Sequence, residues 1–233
     1  MSRTPSFDIQ IFKKRREKIA KHMAQDSALV LFANPEFLRN HDAPYEYRQD
    51  TNFFYMTGFE EPEAIFVFRP GQKPETTLFV RPRDPLRETW DGFRYGPEGA
   101  KMHYMVDEVC LVDEKEKKLP DLLKSCTTVY FRLKQQPEYD AIVLSAMEDS
   151  KMLYGRSGRG LASIMDSSQL LGEFRIIKDQ TEIEWQRKAC EITARAHAET
   201  MKMVQPGLNE RQVDAYIQFQ FKYNMAQRMG YNT

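Results

Sequence analysis

Four histidines and three cysteines are the side chains of this 233-residue chain best suited to hold a metal or attack a carbonyl carbon. Zinc chemistry places such ligands in tight patterns, such as two histidines one helical turn apart with a glutamate between them. His22, His41, His103 and His197 are instead scattered, and none has a second histidine or a cysteine at ligand spacing. His197 falls on an expected long helix and reads as an ordinary helix residue. Cys110, Cys126 and Cys190 are far apart and odd in number, which fits free thiols in a reducing cytoplasm. No G-x-S-x-G elbow is present to carry a serine nucleophile. The run "YGRSGRG", residues 154–160, has glycines but follows an expected helix rather than a strand, so it reads as a surface loop and not as a phosphate cradle. The carboxylates of "EKEK" (114–117) and "EPE" (61–63) read as solvated charge and as a turn. Taken one by one, these groups define no complete active site.

The elements that would position them are clearer. Lysine plus arginine equals aspartate plus glutamate at 34 each, so bulk electrostatics do not favour nucleic acid as a partner. No apolar run reaches the roughly 20 residues of a membrane span, and the N-terminus lacks the apolar core of a secretory signal. Residues 8–24 predict a helix with Phe12, Ile19 and Met23 on its apolar face and "KKRREK" as a solvated face. "ALVLFAN", "AIFVFRPG" and "TTLFVRP" predict strands, the last two joined as a hairpin by Pro70-Gly71 and Pro74. A short helix at "GPEGAKMHYM", a strand at "VDEVCLV", a helix around Pro120 and a strand at "TTVYFRL" follow. A helix begins near Pro137 with Ile142, Leu144, Met147 and Leu153 as its stripe. Alternating strands and helices imply an α/β domain.

After "FRIIKD" the character becomes helical. A long helix opens with a capping box at Thr181 and Glu184 and stops at Pro206-Gly207. A second is capped by Asn209, buries Val213, Ile217 and Phe221, and closes at Gly230. The domains divide as 1–175 and 176–233.

One segment fits none of these patterns. "YRQDTNFFYMTGF", residues 47–59, sets Phe53, Phe54, Tyr55 and Met56 side by side, and reads as a strand buried on both faces that enters a Thr-Gly turn. Extended to "YRQDTNFFYMTGFEEPEAIFVF", it strongly resembles the N-terminal domain of Xaa-Pro aminopeptidases, the aminopeptidase P family. The resemblance continues through "VRPRDPLRETWDGFRYGPEGA" and resumes at "FRIIKDQTEIEWQRKACEITARAHAETMKMVQPGLNE", which is similar to the linker and first helix of that family's pita-bread catalytic domain. "GYNT" resembles the start of that domain's first strand.

The resemblance implies a mixed β-sheet flanked by helices, followed by two helices of an incomplete pita-bread α+β domain. It implies removal of the N-terminal residue from peptides with proline in second position, by two divalent ions, usually manganese, held by two Asp, one His and two Glu. A bridging hydroxide would attack the peptide bond. All those ligands lie beyond the point matching Thr233, so no residue here inherits a metal role and the chain alone is expected to be inactive. The resemblance further implies a cytoplasmic homo-oligomer whose N-terminal domain narrows access to the active site, without nucleic-acid or membrane partners. Trp90 matches a tryptophan that can reach a neighbouring subunit's active site, or it packs within its own domain. Tyr231 matches a tyrosine near the substrate, or is a core strand residue. Arg48, Arg83 and Arg94 are expected to pair with Asp50, Asp84 or Glu88. Prolidase or creatinase-like hydrolases, and a non-catalytic peptide- or histone-binding scaffold of the same fold, remain open alternatives. The two C-terminal helices are expected to expose apolar faces.

Overall fold

A computed structural model describes residue 5, residues 7–157 and residues 160–230. The elements run α1 (Gln10–Ala20), β1 (Ser27–Phe32), β2 (Leu38–Asn40), β3 (Ala43–Pro44), α2 (Thr51–Thr57), β4 (Ile65–Phe68), β5 (Thr76–Val80), α3 (Glu88–Asp91) and α4 (Gly96–His103). They continue with β6 (Glu108–Leu111), α5 (Lys115–Leu123), β7 (Thr128–Tyr130), α6 (Pro137–Tyr154), β8 (Ser163–Met165), α7 (Ser167–Ile176), α8 (Gln180–Met203) and α9 (Glu210–Tyr223). The chain divides into two compact units, Met1–Arg175 and Ile176–Thr233.

The first unit is a mixed sheet in the order β6-β5-β4-β1-β7-β8. β4 is antiparallel to both β1 and β5, while β1/β7, β5/β6 and β7/β8 are parallel pairs. Every strand but β4 therefore points the same way. Strands β1, β4 and β5 are buried along their whole length because helices cover both faces. Alternate residues feed two cores. Leu29, Leu31, Phe66, Phe68 and Leu78 meet Ile19, Phe53, Met56, Ala100 and Leu171 on one face. Val30, Phe32, Val67 and Phe79 meet Leu119, Leu123, Tyr139 and Val143 on the other.

Several expectations are corrected. Residues 51–57 form helix α2, not a buried strand. Asp50 stays extended and its Oδ1 accepts from the N–H groups of Asn52 and Phe53, both at 2.9 Å. Gly58 closes the helix at φ 69°, with its N–H donated to Phe54 O at 2.8 Å. A helix lets the adjacent aromatics serve different neighbours: Phe53 and Met56 enter the core, while Phe54 meets the Phe12 ring edge-on at 5.7 Å.

The "KKRREK" face is also only partly solvated, because Arg15 and Arg16 are buried. The last carbonyls of a short helix lack partners within it, and these arginines supply them. Arg16 Nη1 donates to Met56 O at 2.9 Å and Nη2 to Met105 O at 2.8 Å. Burial lowers the Arg16 guanidinium to about 10, partly offset by Asp107, Glu75 and Glu17. Arg15 stacks 4.2 Å from the Tyr55 ring centroid.

Smaller shifts follow the same logic of caps and faces. Helix α6 buries Tyr139, Val143, Ala146 and Ser150, leaving Leu144 and Leu153 exposed. The capping box of α8 is Asp179 with Glu182 rather than Thr181 with Glu184: Glu182 N donates to Asp179 Oδ1 at 2.8 Å, and Asp179 N to Glu182 Oε2 at 3.0 Å. Helix α9 is capped by Asn209 as expected but ends at Asn224, well before Gly230. Of its expected stripe, Ile217 is buried, and Val213 and Phe221 are half-buried. In the second unit α8 and α9 pack on each other. Met201, Val204, Phe219 and Tyr223 are exposed there.

Candidate functional site

The fingerprint segment is a polar framework beneath apolar packing. Gln49, buried, uses its amide in four directions. Its Oε1 accepts from Asn34 N at 3.1 Å and Asp50 N at 2.8 Å, and its Nε2 donates to Phe59 O at 3.1 Å and Glu61 O at 2.9 Å. One side chain thus ties the end of β1, the start of α2 and the approach to β4. Asp50 adds a contact from Gln135 Nε2 at 3.3 Å. Thr57 Oγ1 donates to Phe53 O at 2.7 Å and accepts from Phe59 N at 3.0 Å.

Residues 82–95 follow β5 and contrast with that framework. Asp84 Oδ1 accepts from the N–H groups of Leu86 and Arg87, both at 3.1 Å, shaping a turn. Arg83 pairs with Glu88 at 3.0 Å as expected, but Arg94 takes Asp91 at 2.9 Å. Asp50 serves the α2 cap instead of an ion pair. Trp90, on the short helix α3, is 89% exposed, which excludes the reading that it packs inside its own domain. Leu86 beside it is 83% exposed. Tyr231 lies outside the described residues.

At the base of this segment the structure places a carboxylate that sequence reading assigned to a solvated turn. Glu61 is 8% exposed, and its Oε1 accepts the Tyr95 N–H at 2.7 Å. Burial pushes its carboxyl above the usual carboxylate range, while the Tyr95 N–H and the charges of Arg81 and Arg94 pull it back. Tyr95 sits among aromatic rings, 5.1 Å from Phe93 and 5.1 Å from Tyr104. The available signal was its position: a glutamate two residues after a buried phenylalanine and just before a proline that enters a strand has little route to water.

No group of three or more His, Cys, Asp or Glu among the described residues is placed to hold a metal. The buried thiols of Cys110 and Cys126 are pushed up by burial, which keeps them protonated and unreactive. A cleft of about 450 Å³ at the β4–β5 turn is lined by Gly71, Gln72, Lys73, Pro74, Glu75 and Asp107. Asp107 Oδ2 there already accepts from Glu75 N, Thr76 N and Thr76 Oγ1. Burial works against its charge, but those donors hold the carboxyl low. It serves the hairpin, as does Glu75, whose Oε1 accepts the Gly71 N–H at 3.3 Å. No described helix is long and apolar enough to cross a membrane.

Residues 12–130 match the family described as aminopeptidase P, N-terminal domain, and residues 184–233 match metallopeptidase family M24. Together they define the α/β domain that accompanies an M24-type peptidase. The chain belongs to the aminopeptidase P family. It is 34% identical over 95% of its length to the Xaa-Pro aminopeptidase of Haemophilus influenzae, covering 49% of that protein. It is 34% identical over 96% of its length to that of Escherichia coli, covering 51%. The Escherichia coli aminopeptidase P structure in its low-pH form superposes with a TM-score of 0.89 at 33% identity, over 97% of this chain and 52% of that one. The chain therefore spans about half the length of the curated relatives it matches. The second match is to a metallopeptidase family, and none of the described residues is grouped to hold a metal.

Proposed function

We propose that this chain is the N-terminal portion of a manganese-dependent Xaa-Pro aminopeptidase, which removes the residue preceding a proline in second position. The observation that carries this reading is the match to both families in one chain, at 34% identity to two bacterial Xaa-Pro aminopeptidases. One structure of the Escherichia coli relative is zinc-substituted and in complex with product, so that protein accepts a divalent metal.

In this reading residues 1–175 form the access domain and residues 176–233 the beginning of the catalytic domain. The 82–95 segment supplies its working surface. An indole that is almost wholly exposed on a short helix is suited to contact a peptide or a neighbouring subunit of a cytoplasmic homo-oligomer. By its resemblance, Tyr231 would take part in substrate binding. The 233-residue chain alone binds no metal pair and cleaves nothing.

The test joins this chain to the remaining half of the Escherichia coli relative and supplies manganese. The folded chimera is expected to release the N-terminal residue from Xaa-Pro peptides, while the chain alone releases none. A folded chimera without turnover, or turnover by the chain alone, would overturn the reading.

A further inference from the structure

Besides His103 Nε2 against the Tyr95 ring, three polar atoms at the base of the 82–95 segment are buried and have no hydrogen-bond partner among the described residues: Glu61 Oε2, Arg81 Nε and Arg94 Nε. Their side chains belong to residues 8%, 9% and 6% exposed. Arg94 gives its Nη2 to Asp91, not to Glu61. Glu61 therefore has one oxygen held by the Tyr95 N–H and the other shut away from water and from any donor. A charged oxygen in that state is costly, and a protonated one much less so. The backbone that seals it, at Arg94 and Tyr95, is the same chain that carries Trp90.

We propose that Glu61 is the positioning residue of the 82–95 segment: sealing in its charge with Oε2 unpartnered costs more than the Tyr95 N–H and the nearby arginines return, so its negative charge loosens the seal and its protonation tightens it. The sealed form binds the Glu61 proton more tightly than an open form in which water reaches Oε2. The raised carboxyl agrees with that direction. By linkage the stabilisation is full at low pH and is lost as pH rises through the carboxyl's titration. The charged and titratable groups around Glu61 are Arg81 beyond β5, Glu88, Arg94 and Tyr95 on the segment, Tyr104 after α4, and Glu60 beside it. Burial pushes Tyr104 upward, so it stays neutral. His103 touches the Tyr95 ring at 5.8 Å and is the competing titratable group.

Only the purpose of moving Trp90 rests on the peptidase reading; the seal itself does not. Trp90 and Trp185 are the two tryptophans, so Trp185→Phe leaves Trp90 as the sole reporter. In that background, Trp90 anisotropy and Tyr95 amide protection, corrected for intrinsic exchange, are followed from mildly acidic to neutral pH. Protection is expected to fall with rising pH, by roughly tenfold for each unit of carboxyl displacement. Glu61→Gln keeps shape and acceptor without the charge. It should give a flat profile, at least as protected as the acidic parent.

A flat parent profile, or a Glu61→Gln variant looser than the parent at neutral pH, overturns the proposal. So does a profile abolished by His103→Gln. Should Glu61→Gln not fold, the Glu61 carboxyl carbon is titrated by NMR in the parent. A midpoint coincident with the Trp90 transition supports the proposal, and a separate midpoint refutes it. Unchanged peptide turnover in a Trp90→Ala chimera would sink the substrate reading while leaving this one intact.

Discussion

The segments 49–61 and 81–95 lie on the same unit and are built on opposite principles. In the first, Gln49, Asp50 and Thr57 commit their side chains to neighbouring backbone. In the second, the buried Nε atoms of Arg81 and Arg94 are left without partners against the orphaned Oε2 of Glu61, where the first segment ends, while an indole stands in solvent. Satisfied polar networks fix one conformation, whereas unsatisfied ones are sites of stored tension. The family fingerprint is therefore a scaffold, and the capacity to respond to conditions lies in the plainer segment next to it.

That contrast can be broken at the scaffold most severely. Gln49→Ala should cost on the order of 4 kcal/mol in urea unfolding, since it orphans the Asn34 and Asp50 N–H groups and the Phe59 and Glu61 carbonyls. Gly58→Ala should cost about 3 kcal/mol, because its backbone is left-handed at φ 69° and the new methyl falls on the buried Phe12 ring. Asp50→Ala removes a helix cap and should cost about 1 kcal/mol by the same measurement. Trp90→Ala should lie within about 0.5 kcal/mol of the parent, as an exposed side chain that supports nothing. A large destabilisation by Trp90→Ala would show that the 81–95 segment is scaffold after all.

The same contrast explains what could be read from sequence. β1, β4 and β5 were legible because continuous apolar runs between turn residues have few other solutions. The 51–57 helix was not, because four adjacent apolar residues have no period to read. Its punctuation, an aspartate before and a glycine after, was the usable signal. Arg15 and Arg16 misled because charge suggests solvent, and only the folded chain reveals the α2 and Met105 carbonyls that draw them inside. Trp90 was visible as a candidate by resemblance, but its exposure was not. Glu61 was passed over because a carboxylate beside proline resembles a turn until the chain closes over it. The additional helix α7, strand β8 and the β2–β3 ribbon carry too few patterned residues to announce themselves.

The placing of β1 also has a consequence for the order in which the unit assembles. On one side it joins β4 across the chain that holds β2, β3 and α2, Phe32 meeting Ile65. On the other it waits for β7, Ser27 meeting Thr128 across most of the unit. Closing the longer loop carries more entropy and belongs late. Pulse-labelled refolding should protect β1, β4 and β5 before β7 and β8, so that a nascent chain completes the fingerprint segment while the far half of its sheet is still being synthesised.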